Sequence, residues 1–254
     1  MTSLRQVVCG ILVVGLAAGT AACGGGSETT VETPAAPVTN PVDPATAATV
    51  TGRVTLMGQV PAALPITMAS DPRCTKTGAV TETVVADAKG GLQNVFVYVK
   101  DGLGNLAFPV PTTPVVLDQK GCQYRPHVFG VRVGQPVEIL NSDATLHNIH
   151  AWPVTNQEFN VGQALQGLRH THTFSTSEVM VPFKCDVHKW MNAFVGVVDH
   201  PFFAVTGADG TFTLKGLPPG TYTVEAWHEK LGTQTQSVTV GAKETKDIAV
   251  SFAL

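Results

Sequence analysis

The sequence predicts an all-β protein of the sandwich type, and three observations carry that prediction. No convincing amphipathic helix appears after residue 49. Short runs rich in β-branched and aromatic residues recur instead, punctuated by Gly, Pro, Asn or Asp. Gly occurs 25 times and Pro 17 times among 254 residues, which suits a fold with many turns. With 14% charged residues, 44% hydrophobic residues and a net charge of −3, the balance is ordinary for a soluble protein. It gives no electrostatic footprint for nucleic acid.

Taken in order, the chain opens with Arg5 ahead of the apolar run VVCGILVVGLAAG, followed by TAAC ending at Cys23. The run is too short to span a bilayer and a small-residue cleavage site follows, so residues 1–22 read as an export signal. TAAC resembles a bacterial lipobox, although Thr20 stands where that motif usually has Leu. The resemblance implies lipidation of Cys23 and a periplasmic or cell-surface protein tethered to a membrane; the alternative is simple secretion. Residues 23–48 are dominated by Gly, Ser, Thr, Pro and Ala without apolar periodicity, and read as a disordered tether.

Strand candidates follow at 50–58, 94–100, 113–119, 127–134 and 136–141, then at 170–175, 179–184 and 194–200. PHVFGVRVGQPVEILNSD alternates well and carries a Gly-Gln-Pro turn between two strands. The stretch 154–169 suits a short helix or an irregular loop equally. Four further strand candidates lie near 211–215, 221–228, 234–240 and 246–253.

The last of these regions carries the pattern G-x-F-x-L-x-x-L-P-P-G-x-Y-x-V-x-A on Gly210, Phe212, Leu214, Leu217, Pro218, Pro219, Gly220, Tyr222, Val224 and Ala226. It resembles the carboxypeptidase regulatory-like (transthyretin-like) β-sandwich module, a resemblance that implies a fold and no chemistry. Four strands close a sandwich poorly. Either the module recruits the early strand at 50–58, making the middle domain an insertion, or two consecutive domains share a tight interface. The expected division is a first domain over 49–200, with its core at 93–200, and the module over 201–254.

Cysteine usage points to the chemistry. Cys9 and Cys23 fall in the signal and at the processing site, leaving Cys74, Cys122 and Cys185. In an oxidising compartment thiols pair or bind metal, and three is odd. Pairing Cys74 with Cys122 would leave Cys185, although spacing alone does not determine connectivity. Cys185 stands in FKCDVHKWM, three residues before His188 and six before Met191. A thiolate, an imidazole and a thioether suit copper, whose blue centre is a trigonal His₂Cys site with a long axial Met. The second His comes from NSDATLHNIH, just after the strand at 136–141.

Here the sequence resembles the cupredoxins, roughly over residues 93–200. That family carries its first His near a strand end in the form N-x-x-x-x-x-H-N, here Asn141 to His147-Asn148, and the other ligands on one loop. The C-x-x-H-x-x-M spacing is similar to that of amicyanin; plastocyanin has a longer gap between His and Met. The resemblance implies a Greek-key β-sandwich and one type 1 copper held by His147, Cys185, His188 and Met191. It implies that Asn148 ties the ligand loops together without binding metal. Lys189 and Trp190 depart from amicyanin and alter the surface beside His188, where cupredoxins usually pass electrons. The whole chain also resembles exported bacterial proteins joining such a domain to a carboxypeptidase regulatory-like tail. Some of these are labelled methylamine-utilisation-like, a fold-level association that names no redox partner.

The expected function is therefore single-electron transfer to and from an unidentified redox protein; the alternative is a non-redox copper-storage or cell-surface binding protein. A filled His₂Cys-Met site leaves no open position for substrate, so no catalytic residue is assigned. A rival enzyme would hold copper or zinc at His147, His150 and Cys185. On a strand, 147 and 150 point to opposite faces, and the His-Asn pair favours His147. Other candidates have blander readings: Cys122 with His127 as a disulfide half and a structural His, and His170 with His172 as exposed side chains. Met180 reads as core, and His228 receives no assignment.

Overall fold

The structure is a computed structural model that describes residues 39–75 and 78–254. The expected export signal, the expected lipidation site at Cys23 and the expected tether as far as residue 38 lie outside the described residues. The rest of the expected tether is folded. Val42 is buried in a hydrophobic core, and Asp43 Oδ1 accepts the Ala45 amide at 2.8 Å in an Asx-type turn. One buried apolar side chain and one turn outweigh the tether-like composition around them.

Every regular element among the described residues is a strand. The first five are β1 (Ala48–Met57), β2 (Phe96–Asp101), β3 (Val115–Gln119), β4 (Tyr124–Arg125) and β5 (Val128–Arg132). Then come β6 (Pro136–Asn141), β7 (His147–Ala151), β8 (Phe159–Gln163), β9 (Arg169–Thr173), β10 (Glu178–Lys184) and β11 (Asn192–Val198). The chain ends with β12 (Phe203–Val205), β13 (Thr211–Leu217), β14 (Gly220–His228), β15 (Gly232–Val240) and β16 (Thr245–Ala253). The ambiguous stretch at 154–169 contains β8 and a turn rather than a helix.

Strand pairing redraws the expected division at residue 200. β1 pairs antiparallel with β13 and parallel with β16, and β2 pairs antiparallel with β12 and β14. The C-terminal module therefore consists of a three-stranded sheet, β13-β1-β16, facing a four-stranded sheet, β12-β2-β14-β15. β1 alternates buried and half-buried positions, and its Val50, Val54 and Leu56 share one core with Val97, Phe212, Val224 and Val250. The four late strands leave an apolar face that β1 and β2 cover, so the insertion alternative is the arrangement seen.

Between β2 and β12 the chain builds a second sandwich. One sheet has the order β4-β3-β6-β9 and the other β5-β11-β10-β7-β8. Leu117, Val137 and Ile139 from the first sheet share a core with Ile149, Phe183, Val195 and Cys185. The pairings β3–β6 and β5–β11 are parallel, so both sheets are closed by crossovers rather than by hairpins alone.

The two sandwiches are fused through aromatic side chains. Phe96 on β2 is fully buried, with its ring against Gly196 of β11 and Gly130 of β5. A Cβ at Gly196 would stand 2.4 Å from the Phe96 ring, and one at Gly130 would stand 2.3 Å from Phe203. Trp227 and Phe194 meet at 5.1 Å between ring centres, and Met180, expected in a core, packs in this junction. Arg132 is buried here, and its guanidinium donates to the carbonyls of Phe108 and Asp199.

His228, at the end of β14, is buried, and its Nδ1 accepts the amides of Lys230 and Leu231 at 3.2 Å each. Burial pushes its pKa from 6.5 down to about 4. A depressed imidazole stays neutral in the fold, so its contribution is intact above about pH 6.5 and is lost as pH falls toward 4. The urea midpoint is expected to drop across that window, this residue accounting for at most about 3 kcal/mol. His228→Gln, which keeps an acceptor but does not titrate, should flatten part of the drop.

Candidate metal centre

The site is built by two loops of the inserted sandwich. β10 and β11 form an antiparallel hairpin in which Lys184 faces Asn192, and the loop between them carries Cys185, His188 and Met191. The Cys185 amide donates to Met191 O at 3.2 Å and the Met191 amide to His188 O at 2.9 Å, which closes the loop on itself. His147 arrives on the first residue of β7. The turn before it is held by Asn141, whose buried Nδ2 donates to Thr145 O and Gln163 O at 2.9 Å each.

These loops bring three donors together. The ligand atoms of His147, Cys185 and His188 lie within 4.8 Å of one another, and all three residues are buried. The two Nδ1 atoms are 2.9 Å apart, and Cys185 Sγ is 3.9 Å from His188 Nδ1. Met191 is buried in the same core cluster as Cys185. Asn148 joins the loops: its Oδ1 accepts the Asp186 amide at 2.7 Å and lies 3.3 Å from Cys185 Sγ, while its Nδ2 donates to Asp186 Oδ2 at 3.0 Å.

The outer nitrogens meet two acidic residues that sequence reasoning missed. His147 Nε2 is 3.0 Å from Asp143 Oδ2, and His188 Nε2 is 3.2 Å from Asp71 Oδ2. Asp143 sits four residues before His147 and was within reach of a reading of that loop; Asp71, far away in sequence, was not. Burial pushes His147 down, but Asp143 and the Cys185 sulfur outweigh it and lift the pKa to about 8. His188 moves the other way, lowered by burial and by the charge on His147. Burial works against a Cys185 thiolate, yet His147 and the amides of Asn148 and His188 hold the thiol below its ordinary value. Each outer nitrogen thus has a carboxylate oxygen within hydrogen-bond distance, and the inner nitrogens, with the Cys185 sulfur, could face one cation.

A disulfide joins Cys74 and Cys122, and Cys185 remains free and buried. His150 points away from the cluster, within hydrogen-bond reach of Asp186 and Glu158 at 3.0 and 2.7 Å. His127 does not join Cys122 in a site; its Nε2 lies 2.6 Å from Glu229. His170 and His172 are half-buried on β9, with His172 stacked on Phe159 at 3.9 Å. The expectation of a surface beside His188 shaped by Lys189 and Trp190 needs correcting. Lys189 is exposed, but His188 is only 1% exposed because Asp71 and Cys74 cover its outer edge. Trp190 turns inward and donates Nε1–H to Cys122 O at 2.9 Å.

A model of the carboxypeptidase regulatory-like domain matches residues 191–254. Among solved structures, the chain resembles a copper-containing nitrite reductase from Thermus scotoductus SA-01 at 21% identity and a TM-score of 0.33. That match covers 39% of this chain and 26% of the reductase, so the chain spans about a quarter of that protein. A mutant amicyanin with Cu(I) matches at 22% identity, 35% of this chain, 85% of its own and a TM-score of 0.30. A purple cupredoxin from Nitrosopumilus maritimus matches at 23% identity, 34% of this chain, 98% of its own and a TM-score of 0.29. No curated protein matches the chain. What the centre can do follows from its own donors.

Proposed function

We propose that His147, Cys185, His188 and Met191 hold one type 1 copper ion and that the chain carries single electrons outside the cytoplasm. The observation that carries this reading is the buried cluster of two Nδ1 atoms and one thiol within 4.8 Å. The donors fit the metal: one soft thiolate and two imidazoles form a trigonal set, and a thioether on the same loop supplies a weak fourth donor. Copper held there supplies a one-electron couple between Cu(I) and Cu(II). The protein's part is to keep the donors still. His147 is anchored through Asp143, Cys185 through amides and Asn148, and His188 through Asp71, so little rearrangement accompanies a change of charge.

All three donors are buried, which favours an electron carrier over an enzyme with an open metal position. Lipid attached at Cys23 would tether the folded body to a membrane, within reach of a redox protein partner. Copper storage is a second reading, favoured by one observation: the His188 edge is covered rather than exposed. Titration with Cu(II) tests the proposal. An intense visible thiolate-to-copper band growing to one equivalent is the expected result. A colourless stoichiometric complex would favour storage, and absence of tight copper binding would sink both readings.

A further inference from the structure

We infer that Asp71 and Asp143 are positioning residues for the two imidazoles, and that the segment carrying Asp71 is a fixed cover over His188, clasped by the Cys74–Cys122 disulfide. The inference deepens the proposed copper centre and rests on that reading. If Nδ1 of each ring faces the metal, Nε2 must face outward, and here each outward nitrogen ends on a carboxylate. A carboxylate accepting Nε2–H fixes the tautomer that presents Nδ1 and makes the ring a better donor.

Asp71 reaches His188 from a segment without regular structure, so something else must hold it there. Thr145 Oγ1 donates to Asp71 Oδ2 at 2.6 Å, and the Arg73 amide donates to Asp71 Oδ1 at 2.8 Å. Met68 is buried in the core of the inserted sandwich, anchoring the segment from one side. On the other side, Cys74 donates its amide to Asp71 O at 3.0 Å and is bonded to Cys122. Cys74 Sγ itself lies 3.9 Å from His188 Nε2.

The far end of the disulfide reaches the other imidazole. The amides of Gly121 and Cys122 donate to the two oxygens of Asp143 at 2.9 and 2.8 Å, and Asp143 meets His147. Cys122 O accepts from Trp190 of the ligand loop. One covalent bridge therefore connects both carboxylates that back the centre. Two consequences follow. The negative charge behind both rings favours Cu(II) over Cu(I) and lowers the potential. Copper cannot leave past His188 unless the cover lifts.

The test uses the copper-loaded chain and a Cu(I)-specific chelator. Asp71→Ala should raise the reduction potential and speed copper transfer by about 10- to 100-fold. Asp71→Asn, which can still accept Nε2–H, should restore most of the slow transfer. The double variant Cys74→Ser/Cys122→Ser should also speed transfer, with Asp71 unchanged. In metal-free protein, ring-nitrogen NMR should find His188 protonated at Nε2 and lose that preference in Asp71→Ala. Unchanged potential and transfer rate in Asp71→Ala, with the visible band intact, would overturn the inference and leave the copper reading standing. So would an Nδ1-protonated His188 in the metal-free wild type. If the wild type gives no coloured complex, the copper reading fails, while the NMR result still decides whether Asp71 positions the ring.

Discussion

Replacing Cys185 with serine is expected to abolish the visible copper band completely, the largest spectroscopic change open to a single substitution here. The band requires charge transfer from a thiolate, and among the described residues Cys185 is the free cysteine. A serine hydroxyl neither ionises near neutral pH nor offers a soft donor, so what remains is a pair of imidazoles suited to weaker, colourless binding. Absorption and electron paramagnetic resonance after Cu(II) addition check this. Cys122→Ser is the control that separates colour from stability. It leaves the trigonal donors in place, so the band persists. It also opens a crosslink with a sequence separation of 48, worth about 4 kcal/mol in the chain-entropy model. A protein that keeps its colour yet unfolds at lower denaturant is the expected outcome. Colour lost in Cys122→Ser and kept in Cys185→Ser would refute the ligand assignment.

Phe96→Ala is expected to destabilise the folded chain by about 3–5 kcal/mol. The ring is fully buried, and it fills space that the inserted sandwich leaves for it by placing glycine at the paired positions 130 and 196. Its loss leaves a cavity where no neighbour can collapse, because both facing strands belong to hydrogen-bonded sheets. Denaturant unfolding followed by tryptophan fluorescence measures the shift. The complementary change, Gly196→Ala, overpacks the same place and should cost about 1–3 kcal/mol. Because the two sites touch, combining Gly196→Ala with Phe96→Leu should cost less than the separate effects together. The copper band should survive in all of these, since the ligand loops are anchored within the inserted sandwich. An effect of Phe96→Ala below 1 kcal/mol would mean that the sandwiches are joined elsewhere.

How much of this was legible depends on how local the determinant is. The strands at 136–141 and 246–253 could be read from their own residues, because each alternates buried and less buried positions and so buries one face in a sandwich core. β8 escaped, since its burial is partial and its sequence, FNVGQ, lacks the aliphatic run that marks a strand. Ownership of β1 could not be read either: the pattern ATVTGRVTLM reports a half-buried strand and says nothing about which sheet buries it. A signal for the junction did exist. Glycine in mid-strand, in HVFGVRV and FVGVVDH, marks a place where another surface approaches closely.

By itself the sequence determined the β class, the turns, the carboxypeptidase regulatory-like pattern and the Cys-His-Met loop. These depend on residues within a few positions of one another, whose spacing reports their local geometry. Only the tertiary structure decided that β1 and β2 complete the C-terminal sandwich, and that His147 meets His188 through their Nδ1 atoms. It alone placed Asp71 over the site, 117 residues from the imidazole it touches. Burial and hydrogen bonding are properties of neighbours in space, and a carboxylate at that sequence distance leaves no periodic trace for the sequence to display.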